Sequence, residues 1–504
     1  MLRKQCLVVT VLCLPWAGIG LCAEAVKNVP VQAARSSPQW LHRGVMYQIW
    51  LRSFTREGTL SAATKRLADV ADLGATIVYL TPVQLMDDDM RPEFWSQRMK
   101  ESASKNPRNP YRIKDYDKID PEFGSEADLR EFIATAHKLG LHVLMDMVYL
   151  HTGPTSLLLE RPDFHQRDAE GKILMTGHWP FPRLNFKSRE LREHLWANME
   201  HWVKDFGADG FRCDCAGSVP LDFWEEARTR LHAIRPDLVM LAEGFSPRDQ
   251  LKAFDLNYSH WAFVCQAVVT RGASADCLRQ WWTKTHDRFP RGARFIYFSV
   301  NHDLPRADVV FGERGAQAVS ILNFTLDGVP FLYNGQEIGD ATPMDLLTHW
   351  PIVWEAAGVP TGGLQKRVFY QQLCRMRRDE AALAAAGEVV WLTNDRPESV
   401  LSYVRREKNE EILVVVNLSN RAVRVKIDLP DKTAATYRNL VRTEKMAVKE
   451  KSLSTDWIED GMQKVIRNPR DRVSEAEEVA STKDGLCVEL AGFDYFVGKK
   501  QAGK

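Results

Sequence analysis

The sequence predicts a (β/α)8 barrel over residues 40–386 and a C-terminal antiparallel β-sandwich domain over residues 387–500. Two patterns carry this prediction. In the first part, an amphipathic helix that ends at a glycine is followed by a continuous apolar run, and this unit recurs. In the second part, apolar and polar residues alternate, as in strands with one solvated face. A chain of 504 residues has room for one large and one smaller domain.

The first helix–strand unit illustrates the pattern of the barrel. Leu67, Val70 and Leu73 recur at helical spacing, Gly74 supplies a left-handed end, and residues 76–80 form a largely apolar run. Repeated units of this kind imply parallel strands covered by helices. We predict further strands at residues 45–51, 142–145, 210–212, 238–242, 295–300 and 329–333. A barrel of about eight units fits this length; a doubly wound sheet is the alternative.

Period-two alternation replaces the helical pattern after residue 386. We predict four strands, at residues 399–406, 412–418, 486–490 and 493–497, and residues 423–429 show the same alternation of apolar and polar side chains. The first two are joined by a turn around residues 408–410, which predicts a β-hairpin. Residues 441–480 are rich in charge and lack periodicity, so we interpret them as a long excursion from this domain.

The first 25 residues have the organisation of a secretory signal. A positively charged start precedes an almost wholly apolar run at residues 6–22, and residues 23–25, Ala-Glu-Ala, offer a cleavage site. We therefore expect residues 1–25 to be removed and the mature protein to be secreted or periplasmic, with no membrane partner. A retained membrane anchor is the alternative, although the apolar run is short for a span and Pro15 interrupts it.

Charge and cysteine content exclude several classes of function. The 67 basic and 66 acidic side chains leave a net charge of +1, so no strong overall basic field exists to collect nucleic acid or anionic lipid. Of nine cysteines, three lie in the predicted signal. The spacings of the others predict neither a zinc site nor a disulfide framework. We expect mostly buried thiols and leave one or two disulfide bonds open.

Polar residues close several of the predicted barrel strands. The groups concerned are a guanidinium, two imidazoles and four carboxylates: Arg212, His151, His302, Asp146, Asp214, Glu243 and Asp303. Because the strand ends of a barrel share one rim, we expect these groups to converge. Repelling carboxylates gather either around a metal ion or to cleave a glycosidic bond, which needs a carboxylate nucleophile and a carboxylic acid. The metal hypothesis is weaker, because only two histidines accompany the acids, and we predict no metal or other cofactor.

The motifs at these strand ends occur in the order found in a known family. The segments concerned are residues 46–54, 109–116, 119–124, 146–151, 210–214, 241–243, 301–303 and 328–337. They include Gly-Phe-Arg-Cys-Asp at residues 210–214 and Asn-His-Asp at residues 301–303. Over residues 43–386, the chain resembles the α-amylase family of retaining glycoside hydrolases. The C-terminal β domain fits that resemblance.

The resemblance assigns roles to three carboxylates. It implies that Asp214 is the nucleophile, that Glu243 is the general acid/base, and that Asp303 holds substrate hydroxyl groups and helps to distort the sugar ring. Arg212 lies two residues before Asp214, so both side chains share one strand face and the cation would keep Asp214 ionised. Glu243 must instead carry a proton before the bond breaks, which neighbouring negative charge favours.

The remaining site residues are implied to bind the substrate. By the same resemblance, His151 and His302 would form hydrogen bonds with sugar hydroxyl groups, and Tyr111 would stack under that sugar. Ordinary structural packing is the alternative for each of these three side chains. Asp146 is interpreted as a structural partner of Arg212 rather than as a direct catalyst.

The chain departs from the family pattern at two positions that often ligate Ca²⁺. Leu150 stands where the first motif usually has Asn, and Arg183 stands where Asp is frequent. We therefore predict that the usual Ca²⁺ site is absent. The excursion at residues 151–186 is short, and residues 217–218, Gly-Ser, replace a Lys-His pair seen in many α-amylases. These departures leave the predicted catalytic residues intact but make the substrate less certain.

The resulting hypothesis is a secreted enzyme that hydrolyses α-linked glucans or oligosaccharides with net retention. Within the family, a glucanotransferase or a trehalose-synthase-like enzyme would use the same covalent glycosyl-enzyme. A non-catalytic sugar-binding barrel is an alternative of another class, and the presence of Asp214, Glu243 and Asp303 argues against it. A metal-dependent hydrolase is the remaining alternative. No nucleic-acid partner is expected.

Overall fold

The computed structural model describes residues 28–177, 179–343, 345–354, 362–429, 435–441, 478–481 and 485–501. The predicted signal at residues 1–25 and most of the charged segment 441–480 lie outside the described residues. Within the described chain, no helix combines the length and apolar character needed to cross a membrane.

Eight parallel strands of the described chain form a closed barrel. They are β1 (Met46–Ile49), β2 (Ile77–Leu80), β3 (His142–Met147), β4 (Gly210–Cys213), β5 (Val239–Ala242), β6 (Leu256–Asn257), β7 (Ile296–Tyr297) and β8 (Val329–Tyr333). Their order along the sheet is β6-β5-β4-β3-β2-β1-β8-β7. A parallel bridge between Asn257, in β6, and Phe295, just before β7, closes the ring. The predicted barrel is confirmed, and the doubly wound alternative is wrong because an open sheet would keep two free edges.

The barrel strands are buried on both faces, as their apolar sequences predict. Gly210 begins β4 at a close approach, where an added Cβ atom would lie 2.0 Å from the carbonyl oxygen of Val239 on β5. The strand predicted at residues 295–300 is reduced to Ile296–Tyr297. The sequence missed β6, because its two residues, Leu256 and Asn257, form no apolar run.

Eight helices of more than one and a half turns surround the barrel within the described residues. They are α1 (Leu60–Leu73), α2 (Glu126–Lys138), α3 (Arg189–Lys204), α4 (Leu221–Ile234), α5 (Trp261–Arg271), α6 (Asp276–His286), α7 (Ala307–Thr325) and α8 (Gly362–Asp379). Gly74 ends α1 in the left-handed conformation at φ 97°, as predicted. Ser125 and Asp128 exchange hydrogen bonds in a capping box at the start of α2. These signals are local, which is why the sequence revealed them.

Short elements lie in the connections between the barrel strands and helices. Between β2 and α2, the antiparallel strands Gln84–Met86 and Ile113–Ile119 pair, and a short helix spans Gln97–Glu101. The predicted excursion after β3 contains a 3-10 turn at Leu157–Glu160. It also contains isolated antiparallel β-bridges within the excursion itself, such as the one between Arg167 and Ile173. The excursion is therefore a compact loop without long strands of its own.

The C-terminal domain contains two antiparallel sheets. One has the strands β9 (Glu388–Trp391), β10 (Val400–Glu407), β11 (Glu410–Asn417), β13 (Thr436–Asn439), β14 (Glu478–Ala480) and β16 (Tyr495–Lys500). The other pairs β12 (Val423–Ile427) with β15 (Leu486–Leu490). Apolar side chains from both sheets, including Val415, Val425 and Phe496, form one buried cluster. The predicted hairpin is confirmed as β10–β11, whereas β9, β13 and β14 were not predicted.

All six cysteines after the predicted signal carry free thiols. Cys213, Cys265 and Cys374 are buried, Cys215 and Cys277 are half-buried, and Cys487 is exposed. The disulfide bonds that the sequence left open are thus absent among the described residues. The large hydrophobic core of the barrel makes them unnecessary for folding, since disulfide scaffolds compensate for small cores.

Candidate active site

The seven predicted site residues meet at the carboxyl ends of the barrel strands. Arg212 lies in β4, Asp214 follows that strand by one residue, and Glu243 follows β5. His302 and Asp303 follow β7 on the other side of the mouth. His151 follows β3, and Tyr111 lies in the long connection after β2. Tyr111 contacts His302 through its hydroxyl and His151 through its carbonyl oxygen. The structure therefore brings together all the residues that the sequence singled out.

Arg212 contacts three carboxylates from neighbouring strands. Its Nη1 donates to Oδ1 of Asp146 at 2.8 Å and to Oδ1 of Asp214 at 2.8 Å, while its Nη2 lies 2.8 Å from Oε1 of Glu243. The guanidinium side chain is 1% exposed. Burial alone would lower the pKa of Arg212, but Asp146 and Glu243 raise it well above its usual value. Arg212 is therefore a permanent cation at the centre of the site, and Asp146 is its partner as expected.

The carboxyl of Asp214 departs from one expectation. Arg212 contacts it, as predicted, and this contact favours the ionised form. Burial nevertheless raises the pKa of Asp214 well above its usual range, and the negative charges of Glu243 and Asp146 add to that rise. The reason is that one guanidinium is shared among three carboxylates, so it compensates each of them only in part.

Glu243 is oriented by the backbone of the residue after Asp214. The N–H of Cys215 donates to Oε2 of Glu243 at 2.7 Å. Cys215 has a φ of 44°, a left-handed conformation that a non-glycine residue adopts at a cost. An oxygen of Asp214 and an oxygen of Glu243 lie within 4.8 Å of each other. The Glu243 side chain is 27% exposed and that of Asp214 is 9% exposed, so Glu243 faces the open mouth.

Three nearly parallel rings lie together at another part of the site. The ring centroid of His302 lies 5.8 Å from that of Trp50 and 5.5 Å from that of Tyr111, and the Trp50 and Tyr111 centroids are 6.5 Å apart. The Tyr111 hydroxyl lies 2.7 Å from Nε2 of His302 and donates to Oδ2 of Asp146 at 2.9 Å. Gln48 Nε2 lies 2.6 Å from Nδ1 of His302. Burial lowers the pKa of His302, and the two hydrogen bonds hold its ring in a fixed orientation.

His151 is fixed through the backbone of Tyr111. Its Nε2 lies 2.9 Å from the Tyr111 carbonyl oxygen, and its ring packs 5.0 Å from that of Phe181. Burial lowers the pKa of His151 to about 4. Its Nδ1 is buried and has no hydrogen-bond partner in the described part of the chain.

Asp303 is the most accessible of the predicted carboxylates. Its side chain is 37% exposed, and Arg98 Nη1 donates to Oδ1 at 2.7 Å. Oδ2 lies 3.2 Å from Nε2 of His302. Displacement of water by the surrounding protein would raise the pKa of Asp303, but His302 and Arg98 lower it to about 2. Arg98 belongs to the short helix Gln97–Glu101, and no periodic or strand-end signal marks it in the sequence.

The side chains at the two departures from the family pattern do not fit Ca²⁺. Leu150 is buried in the hydrophobic core, and Arg183 forms an isolated bridge with His151. Neither offers the carboxylate or amide oxygen that Ca²⁺ prefers. Within the described chain, one other group of potential ligands comes together, at Asp214, Cys215 and Glu243. Both of these carboxylates already contact Arg212, whose positive charge disfavours a further cation there.

Comparison with known proteins identifies the family. The model of the alpha amylase catalytic domain matches residues 34–169 and 165–381, and that of the maltogenic amylase C-terminal domain matches residues 391–455. The alpha-amylase MalA of Haloarcula japonica is 29% identical over 82% of this chain, which spans only 62% of that relative. A cyclomaltodextrinase of Geobacillus thermopakistaniensis is 26% identical over 79% of this chain and 68% of its own length.

A solved structure shares the fold. The maltogenic alpha-amylase AmyB of Thermotoga neapolitana superposes with a TM-score of 0.75, at 23% identity, over 92% of this chain and all of that one. The barrel, the strand-end residues and the matched catalytic domain agree with one another over most of the chain. The protein therefore belongs to the α-amylase family of glycoside hydrolases.

Proposed function

We propose that this protein hydrolyses α-glucosidic bonds in α-linked glucans or oligosaccharides with net retention. The observation that carries the proposal is the arrangement of Asp214 and Glu243, whose oxygens lie within 4.8 Å and share the cation Arg212. In retaining glycosidases the two carboxyl groups are about 5–5.5 Å apart, whereas inverting enzymes separate them by about 6.5–9.5 Å to admit a water molecule. The short separation therefore supports the retaining mechanism.

The two carboxyl groups would act in succession. Asp214 attacks the anomeric carbon while Glu243 gives its proton to the glycosidic oxygen, so that the bond to the leaving group breaks. Glu243, now ionised, takes a proton from a water molecule, which attacks the same carbon and releases Asp214. The exposure of Glu243 suits a group that must meet both the leaving group and water.

The other residues would position the sugar. Hydrogen bonds hold the rings of His302 and His151 in fixed orientations, so the two side chains would border the sugar without moving. Asp303 is ionised and accessible, which suits a bidentate contact with two neighbouring hydroxyl groups. Tyr111 is half-buried beside them and would present its ring to an apolar sugar face.

The substrate class rests on the relatives and on charge. The matched relatives are named alpha-amylase and cyclomaltodextrinase. A net charge of +1 on 504 residues suits an uncharged partner. Hydrolysis is preferred to transfer as the simpler outcome, since both reactions share the glycosyl-enzyme and differ only in the acceptor.

Two measurements test this proposal. A panel of α-1,4-, α-1,6- and α-1,1-linked glucosides, with products resolved by size, separates hydrolysis from transfer and identifies the linkage. A 5-fluoro-α-glucosyl fluoride should trap the intermediate, and mass spectrometry of peptides should locate the label on Asp214. Inactivity on the whole panel would contradict the proposal in favour of a sugar-binding barrel, and a label elsewhere would contradict the mechanism.

We also propose that the protein is exported to the periplasm or the medium. The support is the charged start, the apolar run at residues 6–22 and the Ala-Glu-Ala sequence at residues 23–25, all outside the described residues. Expression of the full chain in a bacterial host, followed by mass spectrometry of the mature N-terminus, should find a chain beginning at Val26. A cytoplasmic product that keeps Met1 would contradict export.

A further inference from the structure

The connections around the mouth of the barrel differ in length from one side to the other; we call the side with long connections the high side and the side with short connections the low side. Long connections follow β2, β3 and β8: residues 81–125, 148–188 and 334–361. Short connections follow β4 and β6, at residues 214–220 and 258–260. In the cyclic order of the barrel, the long connections stand together around β1, and the short ones stand opposite, on either side of β5.

Three apolar side chains join the long connections into what we name the three-loop wall. Met99, Phe181 and Leu347 come from the connections after β2, β3 and β8, and each is at most 2% exposed in one shared cluster. Ser102 Oγ donates to Oδ2 of Asp345 at 2.9 Å, which ties the first connection to the third. Because these side chains are buried against one another, the described parts of the three loops are packed together at this point.

The three-loop wall reaches the candidate active site at two points. The ring of Phe181 packs 5.0 Å from that of His151. Arg98, next to Met99 in the same short helix, pairs with Asp303 at 2.7 Å. The wall therefore borders the predicted sugar-binding residues, from His151 after β3 to Asp303 after β7, on the side of the mouth that includes β1 and β2.

The position of Glu243 gives the site a direction. Glu243 follows β5, across the barrel from β1, and is partly exposed on the low side. The proton donor of a glycosidase stands beside the leaving group. The leaving group therefore lies over the low side, and the other part of the chain, towards its non-reducing end, points at the wall.

We propose that the site is a pocket that accepts only the non-reducing end of a glucan, so that the enzyme releases short products from chain ends. The inference rests on the proposed function and adds the direction and the mode of attack. A chain that continued beyond the bound end would have to displace Met99, Phe181 or Leu347. The specificity-determining residues are these three, together with Arg98, whose guanidinium is placed to bind a terminal hydroxyl group.

A pair of matched substrates tests the pocket. 4-Nitrophenyl α-maltopentaoside would be supplied with a free non-reducing end or with that end blocked by a 4,6-ethylidene group. We expect the blocked substrate to react about 100-fold more slowly than the free one, because a filled pocket rejects added bulk. Equal rates would overturn the pocket and leave the proposed hydrolase standing. Failure on both substrates, together with inactivity on the linkage panel, would overturn the hydrolase and the pocket with it.

Substitutions in the wall provide the second arm. Phe181→Ala and Met99→Ala should raise the blocked-to-free rate ratio about tenfold by opening the wall. Phe164→Ala is the matched control, because Phe164 is equally buried in the same connection and packs against His194 instead of the site. An unchanged ratio in folded wall variants would count against the pocket. If the variants fail to fold, digestion of amylose by the wild-type enzyme provides the test. Short products that accumulate while iodine staining is lost slowly would support the pocket. Rapid loss of iodine staining would overturn it.

Discussion

The three carboxylates at the carboxyl ends of β3, β4 and β5 and the two imidazoles of the site are held by different means. Asp146, Asp214 and Glu243 lie at the ends of adjacent parallel strands and share one buried cation. His151 and His302 instead depend on Tyr111, which comes from a long connection, through its carbonyl oxygen and its hydroxyl. The first side is set by strand register, and the second by loops that can change without disturbing the barrel. We therefore expect chemistry to depend on the strand side and substrate choice on the loop side.

Replacement of the nucleophile should give the largest effect. Asp214→Asn keeps the shape of the side chain but removes the attacking oxygen anion, so we expect turnover to fall by about 10⁴-fold or more. Asp209→Asn is the control, because Asp209 is buried just before the amino end of the same strand, where it pairs with His137 and Arg235. That variant should lose stability and keep turnover per folded molecule. Steady-state kinetics and thermal unfolding distinguish the two.

Removal of Arg212, the cation that the three carboxylates share, should destabilise all three of them together. Arg212→Met leaves two buried carboxylates, Asp146 and Asp214, and the partly exposed Glu243 without their shared cation, so the free energy of unfolding near neutral pH should fall by about 3–5 kcal/mol. Lower pH should restore part of it, as the carboxyl groups take up protons.

The same variant also tests pH dependence. Asp214 must be ionised to attack, so activity falls as pH drops through its pKa. Arg212 favours the ionised form, so its loss should raise the pKa of Asp214 and move the acid limb of kcat/KM to higher pH. Arg228→Met removes a buried arginine that pairs with Asp255 outside the site, and it should destabilise the protein without moving that limb. If the acid limb of the kcat/KM profile moved by the same amount in Arg212→Met and in Arg228→Met, a specific role for Arg212 would be contradicted.

Changes on the loop side should be smaller. Tyr111→Phe removes the hydroxyl that binds His302 and Asp146 and keeps the ring, so we expect kcat/KM to fall about tenfold, equivalent to one hydrogen bond to a partly charged network. A double-mutant cycle with His302→Gln should show coupling, since the two side chains are in contact. Additive losses would mean that the two residues act independently.

Loss of the ion pair between Arg98 and Asp303 should affect substrate binding more than the stability of the protein. Arg98→Gln releases Asp303, whose pKa of about 2 should rise, while the unfolding free energy should change by less than about 1 kcal/mol because the pair is largely exposed. Asp303 remains ionised near neutral pH in either case, so kcat should persist and KM should change. A large drop in melting temperature would place Arg98 among the structural residues.

A chelator should give the smallest effect of all. Leu150 and Arg183 occupy the positions of two common Ca²⁺ ligands. An excess of EDTA should therefore leave activity and melting temperature unchanged. A marked drop in either, reversed by added Ca²⁺, would show that the chain holds the ion by other residues.

The sequence revealed the features that rest on short stretches of chain. Helix caps such as Ser125 and Gly74, the buried strands, and the polar residues that close them are local signals, and the structure has them as predicted. It missed β6, which is too short to carry a pattern, and the edge strand β9. It also missed Trp50 and Arg98, because their partners, His302 and Asp303, lie about 200 or more residues away in the chain.

The amino-acid sequence by itself determined the barrel, the C-terminal β domain and the strand-end positions of the candidate site, and the resemblance to the α-amylase family implied which of those residues are catalytic. Periodicity and strand-end position follow from the geometry of single elements, so a linear pattern is enough to predict them. Only the tertiary structure decided that Arg212 is shared among three carboxylates, which is why burial prevails at Asp214. It alone also decided that Met99, Phe181 and Leu347 meet to wall one side of the mouth. Burial and shared charge depend on which distant residues come together, and a linear pattern does not contain that information.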